Sequence, residues 1–202
     1  MTRARDLADA ADKDFSGTVT VDNITIGGNI SQDSGTVKLD GNYPTGSSNV
    51  ALGDAALDDG SLSGGYNTAI GDSALGENEG GTENVAVGYQ AVDANTSGQQ
   101  NVGIGSQSLS ANTSGSSNSA VGKNALKNNT TASNNTAVGK TALGANTTGA
   151  DNTAVGANCL DANTTASYNN AFGYNTLTAN TTGSGNVGFG HAVLQSNTTA
   201  NN

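Results

Sequence analysis

The chain repeats itself every 17 residues, and this period limits what it can fold into more than any other feature. Asparagine recurs as Asn49, Asn67, Asn84, Asn101, Asn118, Asn135, Asn152, Asn169 and Asn186; the first interval is 18 and the other seven are 17. Counting the asparagine as the first position, a glycine holds the fifth: Gly53, Gly71, Gly88, Gly105, Gly122, Gly139, Gly156, Gly173 and Gly190. The fourth position is always apolar: Leu52, Ile70, Val87, Ile104, Val121, Val138, Val155, Phe172 and Phe189. The third is only Ala or Gly. The ninth is Leu57, Leu75, Val92, Leu109, Leu126, Leu143, Leu160, Leu177 and Leu194. From the third unit on, the unit closes on Asn-Thr-Thr/Ser-Gly/Ala, beginning at Asn95.

A helical hairpin repeat needs roughly 30 residues or more per unit, and these units are rich in Gly, Asn, Ser and Thr, which are poor helix formers. A β-coil fits. The segment Asn-Thr-Ala-Val-Gly alternates residue types, and successive residues of a strand face opposite sides. Val138 therefore shares a face with Thr136, while Asn135, Ala137 and Gly139 share the other. The Ala-Leu pair is expected to form a second short extended stretch, and Asn-Thr-Thr-Gly a turn. The expected fold is all-β: a parallel β-solenoid of nine coils, each with two or three short strands. Its core is expected to comprise the fourth- and ninth-position side chains. Two substantial apolar side chains per 17 ordered residues is little burial, so a second buried surface is required. The row of Ala and Gly at the third position is the candidate, packing against identical chains.

Composition by itself allows either a disordered chain or a repeat protein with a stripe-like core, and the repeat decides for the second. Hydrophobic residues make up 34% and aromatics 4%, there is no Trp, and the net charge is −10. Residues 1–84 carry 14 of the 17 acidic residues, whereas residues 85–202 carry three Asp and three Lys. Such a chain has little with which to neutralise phosphates, so nucleic acid is not an expected partner. No apolar run approaches membrane-spanning length, and membrane insertion is not expected. With Cys159 the only cysteine, no intramolecular disulfide can form. Residues 1–44 are read as an attachment region, a short helix or mobile arm followed by short strands around Thr18-Val19-Thr20-Val21 and Thr36-Val37-Lys38-Leu39. Residues 45–202 are read as the repeat shaft.

Candidate sites are few. The repeat glycines have no Lys-Ser/Thr after them and read as turn residues rather than phosphate cradles. Asp54, Asp58, Asp59, Asp72, Glu77, Glu79 and Glu83 do not form a loop with full Ca²⁺-ligand spacing and read as a solvated acidic face. Cys159 stands where other units have Ala, Ser, Thr or Val and reads as a small buried filler. Tyr89, Lys123, Lys140, Tyr174 and His191 share the sixth position, expected to face outward, and are the candidate ligand contacts. No catalytic residue, metal or cofactor is assigned, and an enzyme is not expected.

Asn-Thr-Ala-Val-Gly at 135–139 and 152–156, with its Ala-Leu and Asn-Thr-Thr-Gly continuations, resembles two groups of proteins. One is the head repeat of trimeric autotransporter adhesins. The other is the repeat region of fibre proteins from marine bacteriophages, especially those of cyanobacteria. The opening Met-Thr-Arg-Ala-Arg-Asp-Leu-Ala-Asp, with Ala-Asp-Lys-Asp at 11–14, looks like the start of such phage fibres. It lacks the apolar core of a secretory signal, which favours assembly in a host cytoplasm over export to a cell surface. The resemblance covers 49–202. It implies a homotrimeric virion fibre whose residues 1–44 dock to other virion proteins and whose repeats contribute to contact with a host receptor or glycan. A bacterial adhesin head and a glycan-depolymerising spike are the alternatives. An ice- or glycan-binding solenoid, using the stacked Asn-Thr-Thr rows, is a further reading.

Overall fold

The computed structural model describes residues 48–201. The attachment region expected at 1–44 lies outside them. The described residues form an all-β parallel solenoid of about eight turns without a helix. Its nine strands are β1 (Val50–Leu52), β2 (Thr68–Ile70), β3 (Val85–Val87), β4 (Val102–Ile104), β5 (Ser119–Val121), β6 (Thr136–Val138), β7 (Thr153–Val155), β8 (Asn170–Phe172) and β9 (Val187–Phe189). They pair in sequence order into one parallel sheet. The register never slips, with Ala137 opposite Ala154 and Val138 opposite Val155.

Each coil holds one strand of three residues, not the two or three strands expected. The reason is backbone conformation. The seventh and ninth positions are left-handed throughout, with φ of 60° at Asn124 and 50° at Leu126. Left-handed residues cannot extend, so Ala-Leu bends instead of forming a second strand. Each such residue costs about 1–2 kcal/mol outside glycine. The bend is held by the neighbouring coil: the Leu126 N–H donates to Ala142 O at 3.0 Å, and the Asn124 N–H to Ser106 O at 3.1 Å.

The core differs from expectation in one row. The ninth-position leucines are fully buried from Leu57 to Leu177, and Val92 with them. The third-position alanines from Ala69 to Ala171 are also fully buried, inside the coil and packed against those leucines, with Ala51 partly buried beside them. They are therefore not a surface for another chain. The fourth-position row placed in the core by sequence faces outward instead: Leu52 is 53% exposed, Val121 36%, Val138 38% and Phe189 66%, with Ile70 and Ile104 between these values and Val87, Val155 and Phe172 half-buried.

Space explains the inversion. A Cβ added at Gly103 would lie 2.4 Å from Val92 Cγ2, and one at Gly188 would lie 2.8 Å from Thr176 Cγ2. Only a methyl or less fits between the strand and the ninth-position side chain. Where a branched neighbour intrudes, at Val92 or Thr176, the third position shrinks from Ala to Gly.

Two ladders of buried asparagine complete the interior. In the first, the N–H of each repeat asparagine donates to the side-chain oxygen of its predecessor, as Asn135 does to Asn118 Oδ1 (3.0 Å) and Asn152 to Asn135 Oδ1 (3.0 Å). In the second, side-chain amides donate upward, as Asn129 Nδ2 does to Asn112 Oδ1 and Asn146 Nδ2 to Asn129 Oδ1, both at 2.9 Å. The 18-residue first coil keeps the ladder, since the Asn67 N–H reaches Asn49 Oδ1 at 2.8 Å.

Candidate interaction surface

The outer face of the sheet is built from alternate strand residues. The second and fourth positions point out on either side of the buried alanine, and the sixth follows beyond the glycine. That glycine has φ between 122° at Gly190 and 143° at Gly53. At Gly139 an added Cβ would lie 2.5 Å from the carbonyl carbon and oxygen of Gly156, so successive backbones touch here and admit no side chain.

The result is an in-register ribbon. The fourth-position apolar row runs the length of the sheet, with the second-position Thr, Ser, Val and Asn170 along one side. The sixth-position row places Tyr89, Lys123, Lys140, Tyr174 and His191 in solvent. Lys123 and Lys140 occupy neighbouring coils. Near β8 and β9 the ribbon turns aromatic: Phe172 and Phe189 stack with centroids 4.5 Å apart and planes 5° apart, and Tyr174 and His191 stack at 5.5 Å and 19°. Comparison with protein-family models, with curated proteins and with solved structures found no match to this chain.

Ionisable groups mark the remaining surface. Burial pushes the Asp93 carboxyl above its usual range, and the charges of Glu77 and Asp72 push it the same way. The Ser61 hydroxyl and N–H hold Asp59 below its usual range. Burial raises the Cys159 thiol to about 11, and its Sγ lies 3.3 Å from Ala171 O inside the coil. Among the described residues, no group of three or more His, Cys, Asp or Glu is placed to hold a metal ion.

The ribbon thus combines a dry apolar strip with polar and aromatic edges, the mix of chemistry found at protein interaction surfaces. Stacking of asparagine from coil to coil is legible in the sequence; its burial and its bonds to the neighbouring strand backbone are not. The stacking is legible because an amide recurring at constant spacing on a strand can stack on itself.

Proposed function

We propose that the chain is the shaft of a homotrimeric virion fibre of nine coils, attached through residues 1–44 to other virion proteins and contributing to contact with a host-cell receptor or glycan. One observation carries the oligomeric part of this reading. The fourth-position row leaves nine apolar side chains in register on a continuous outer face, from Leu52 to Phe189. Eight strand spacings of about 4.8 Å make that face roughly 38 Å long. An exposed apolar strip of this extent is an interaction site. Because every chain carries the same strip, identical copies arranged about a common axis cover it together. The number three, the virion and the host contact are supported by the resemblance of the repeats to phage fibre and adhesin-head repeats.

Sedimentation of the full chain tests the assembly. A trimer is expected, and Val121→Lys combined with Val138→Lys should shift it towards monomer. A wild-type chain that stays a folded monomer at micromolar concentration overturns the proposal. An antibody against the repeats should decorate a virion appendage.

A further inference from the structure

Charge is sorted along the sixth-position row. The coils of β1 and β2 carry Asp54 and Asp72 there, and those of β5 and β6 carry Lys123 and Lys140, all four exposed. Tyr89 and Ser106 stand between the two charged pairs. Lys127 lies outside the row and donates to Gln107 Oε1 at 3.2 Å. Opposite charges of the row do not meet within one chain. The strands follow one another in strict order, so Asp72 and Lys123 are three rungs apart and Asp54 and Lys140 five, roughly 14 and 24 Å at about 4.8 Å per rung. An ion pair needs its N and O within about 4 Å. The Asp72 carboxylate accepts instead from the Ser73 hydroxyl at 2.9 Å.

The order of the charges selects a partner. Acid, acid, neutral, neutral, base, base becomes its own complement when reversed. Two copies laid side by side along this row, parallel and in register, would set Asp54 against Asp54 and Lys123 against Lys123, which repel. Two copies running in opposite directions, with a twofold axis between the coils of β3 and β4, set Asp54 against Lys140, Asp72 against Lys123 and Tyr89 against Ser106. The symmetry repeats each contact, so every charge in the row is matched and the contact closes on itself. A parallel copy shifted by four rungs would oppose Asp54 to Lys123 and Asp72 to Lys140, but it leaves half of the charges unmatched and stays open-ended.

We propose that the sixth-position row is a docking edge for a second copy of this protein running in the opposite direction, held by Asp54 to Lys140 and Asp72 to Lys123 pairs in both senses. The row borders the apolar strip rather than belonging to it, so copies that cover the strip about a common axis leave this edge at the rim, where interfaces are polar. Exposed ion pairs contribute little each, so the contact is reversible and sensitive to salt. The coils of β7 to β9 overhang at both ends of the pair and keep Tyr174 and His191 free. The inference rests on the fibre reading only for its setting, in which fibres of two neighbouring particles meet head to tail along their sides.

The test joins the full-length protein with a zero-length carbodiimide, which couples a carboxylate to an amine only where the two touch, and maps the links by mass spectrometry. Asp54–Lys140 and Asp72–Lys123 links are expected, and the first is too long to form within one chain. Asp54–Lys123 and Asp72–Lys140 links, or none between these residues, overturn the proposal. Sedimentation gives a second readout. Lys123→Glu with Lys140→Glu should weaken pairing by about tenfold or more. Adding Asp54→Lys and Asp72→Lys to the same chain should restore it, because every pair returns with its signs exchanged. A fourfold variant that stays unpaired also overturns the proposal. A trimer without these links sinks this contact alone and leaves the fibre standing, whereas a monomer that gives them sinks the trimer and keeps the contact.

Discussion

Asn118 and Asn129, on opposite limbs of one turn, donate their side-chain amides to the same carbonyl, that of Ala132, at 2.9 and 3.0 Å. The same convergence recurs coil after coil, as with Asn135 and Asn146 on Gly149 O, both at 2.9 Å. The turn is thus closed by side chains from within, and each amide is also tied to the next coil. A buried carbonyl with two donors is fully satisfied, which allows polar residues to occupy a core with few apolar ones.

Asn118→Ala should therefore be far more costly than a typical polar-to-alanine change. It removes the donor to Ala132 O and the acceptor of the Asn135 N–H. The Asn135 N–H is left bare, which costs about 1–3 kcal/mol, and Ala132 O keeps only Asn129, so denaturant unfolding should show a loss of roughly 1–4 kcal/mol. A loss below 1 kcal/mol would show that water repairs the gap.

The inverted rows give an opposite pair of outcomes. Ala137→Val puts a larger side chain where only a methyl fits and should cost about 1–3 kcal/mol by overpacking. Val138→Thr, one residue away but outward, should leave the unfolding midpoint of a dilute sample nearly unchanged and lower the association constant. If Val138→Thr proved the more damaging in the monomer, the assignment of inside and outside would be reversed.

Gly139→Ala tests the backbone contact between coils. Its φ of 136° is strained for any L side chain, and the new Cβ would sit 2.5 Å from Gly156. A left-handed penalty and a backbone clash together should exceed about 3 kcal/mol, visible as a large fall in Tm.

Cys159 should be inert while the coil is closed. Its thiol is buried and its pKa raised to about 11, chiefly by burial, so little thiolate exists at pH 8. Labelling by a maleimide should be slow in buffer and fast in denaturant. Fast labelling of the native protein would mean that this coil opens readily.

Asp93 should make stability depend on pH. Its folded-state pKa lies above the unfolded value, so the folded chain holds the proton more tightly. The penalty is present above the raised pKa and fades as pH falls through it. Asp93→Asn should raise Tm at pH 7, and the gain should shrink as pH falls and Asp93 takes up its proton. A gain that does not change with pH would mean that burial and repulsion of the charge are not its cause.

Much of this was legible from residue spacing. The period, the parallel register and the burial of Leu57 through Leu177 follow from a pattern that only stacked coils satisfy. Alternation along Thr136-Ala137-Val138 also separates two faces, but it does not say which is inside. Apolarity suggested valine; volume decided for alanine, because the coil is too narrow for more than a methyl beside Leu143. The left-handed leucines were not legible, because leucine carries no local preference for that conformation and adopts it only through bonds from the adjoining coil.

The unbroken ladders bear on how a molecule like this can change length. Within the regular coils, adding or losing a few residues would set every asparagine, glycine and leucine beyond it out of step, while a whole unit of 17 would leave each neighbour facing its own kind. The 18-residue first coil shows where a lone extra residue is tolerated, in a turn before the ladder resumes at Asn67. Such a body can grow or shrink by gene duplication and deletion in whole rungs of about 4.8 Å, so its reach is quantised while its cross-section stays the same.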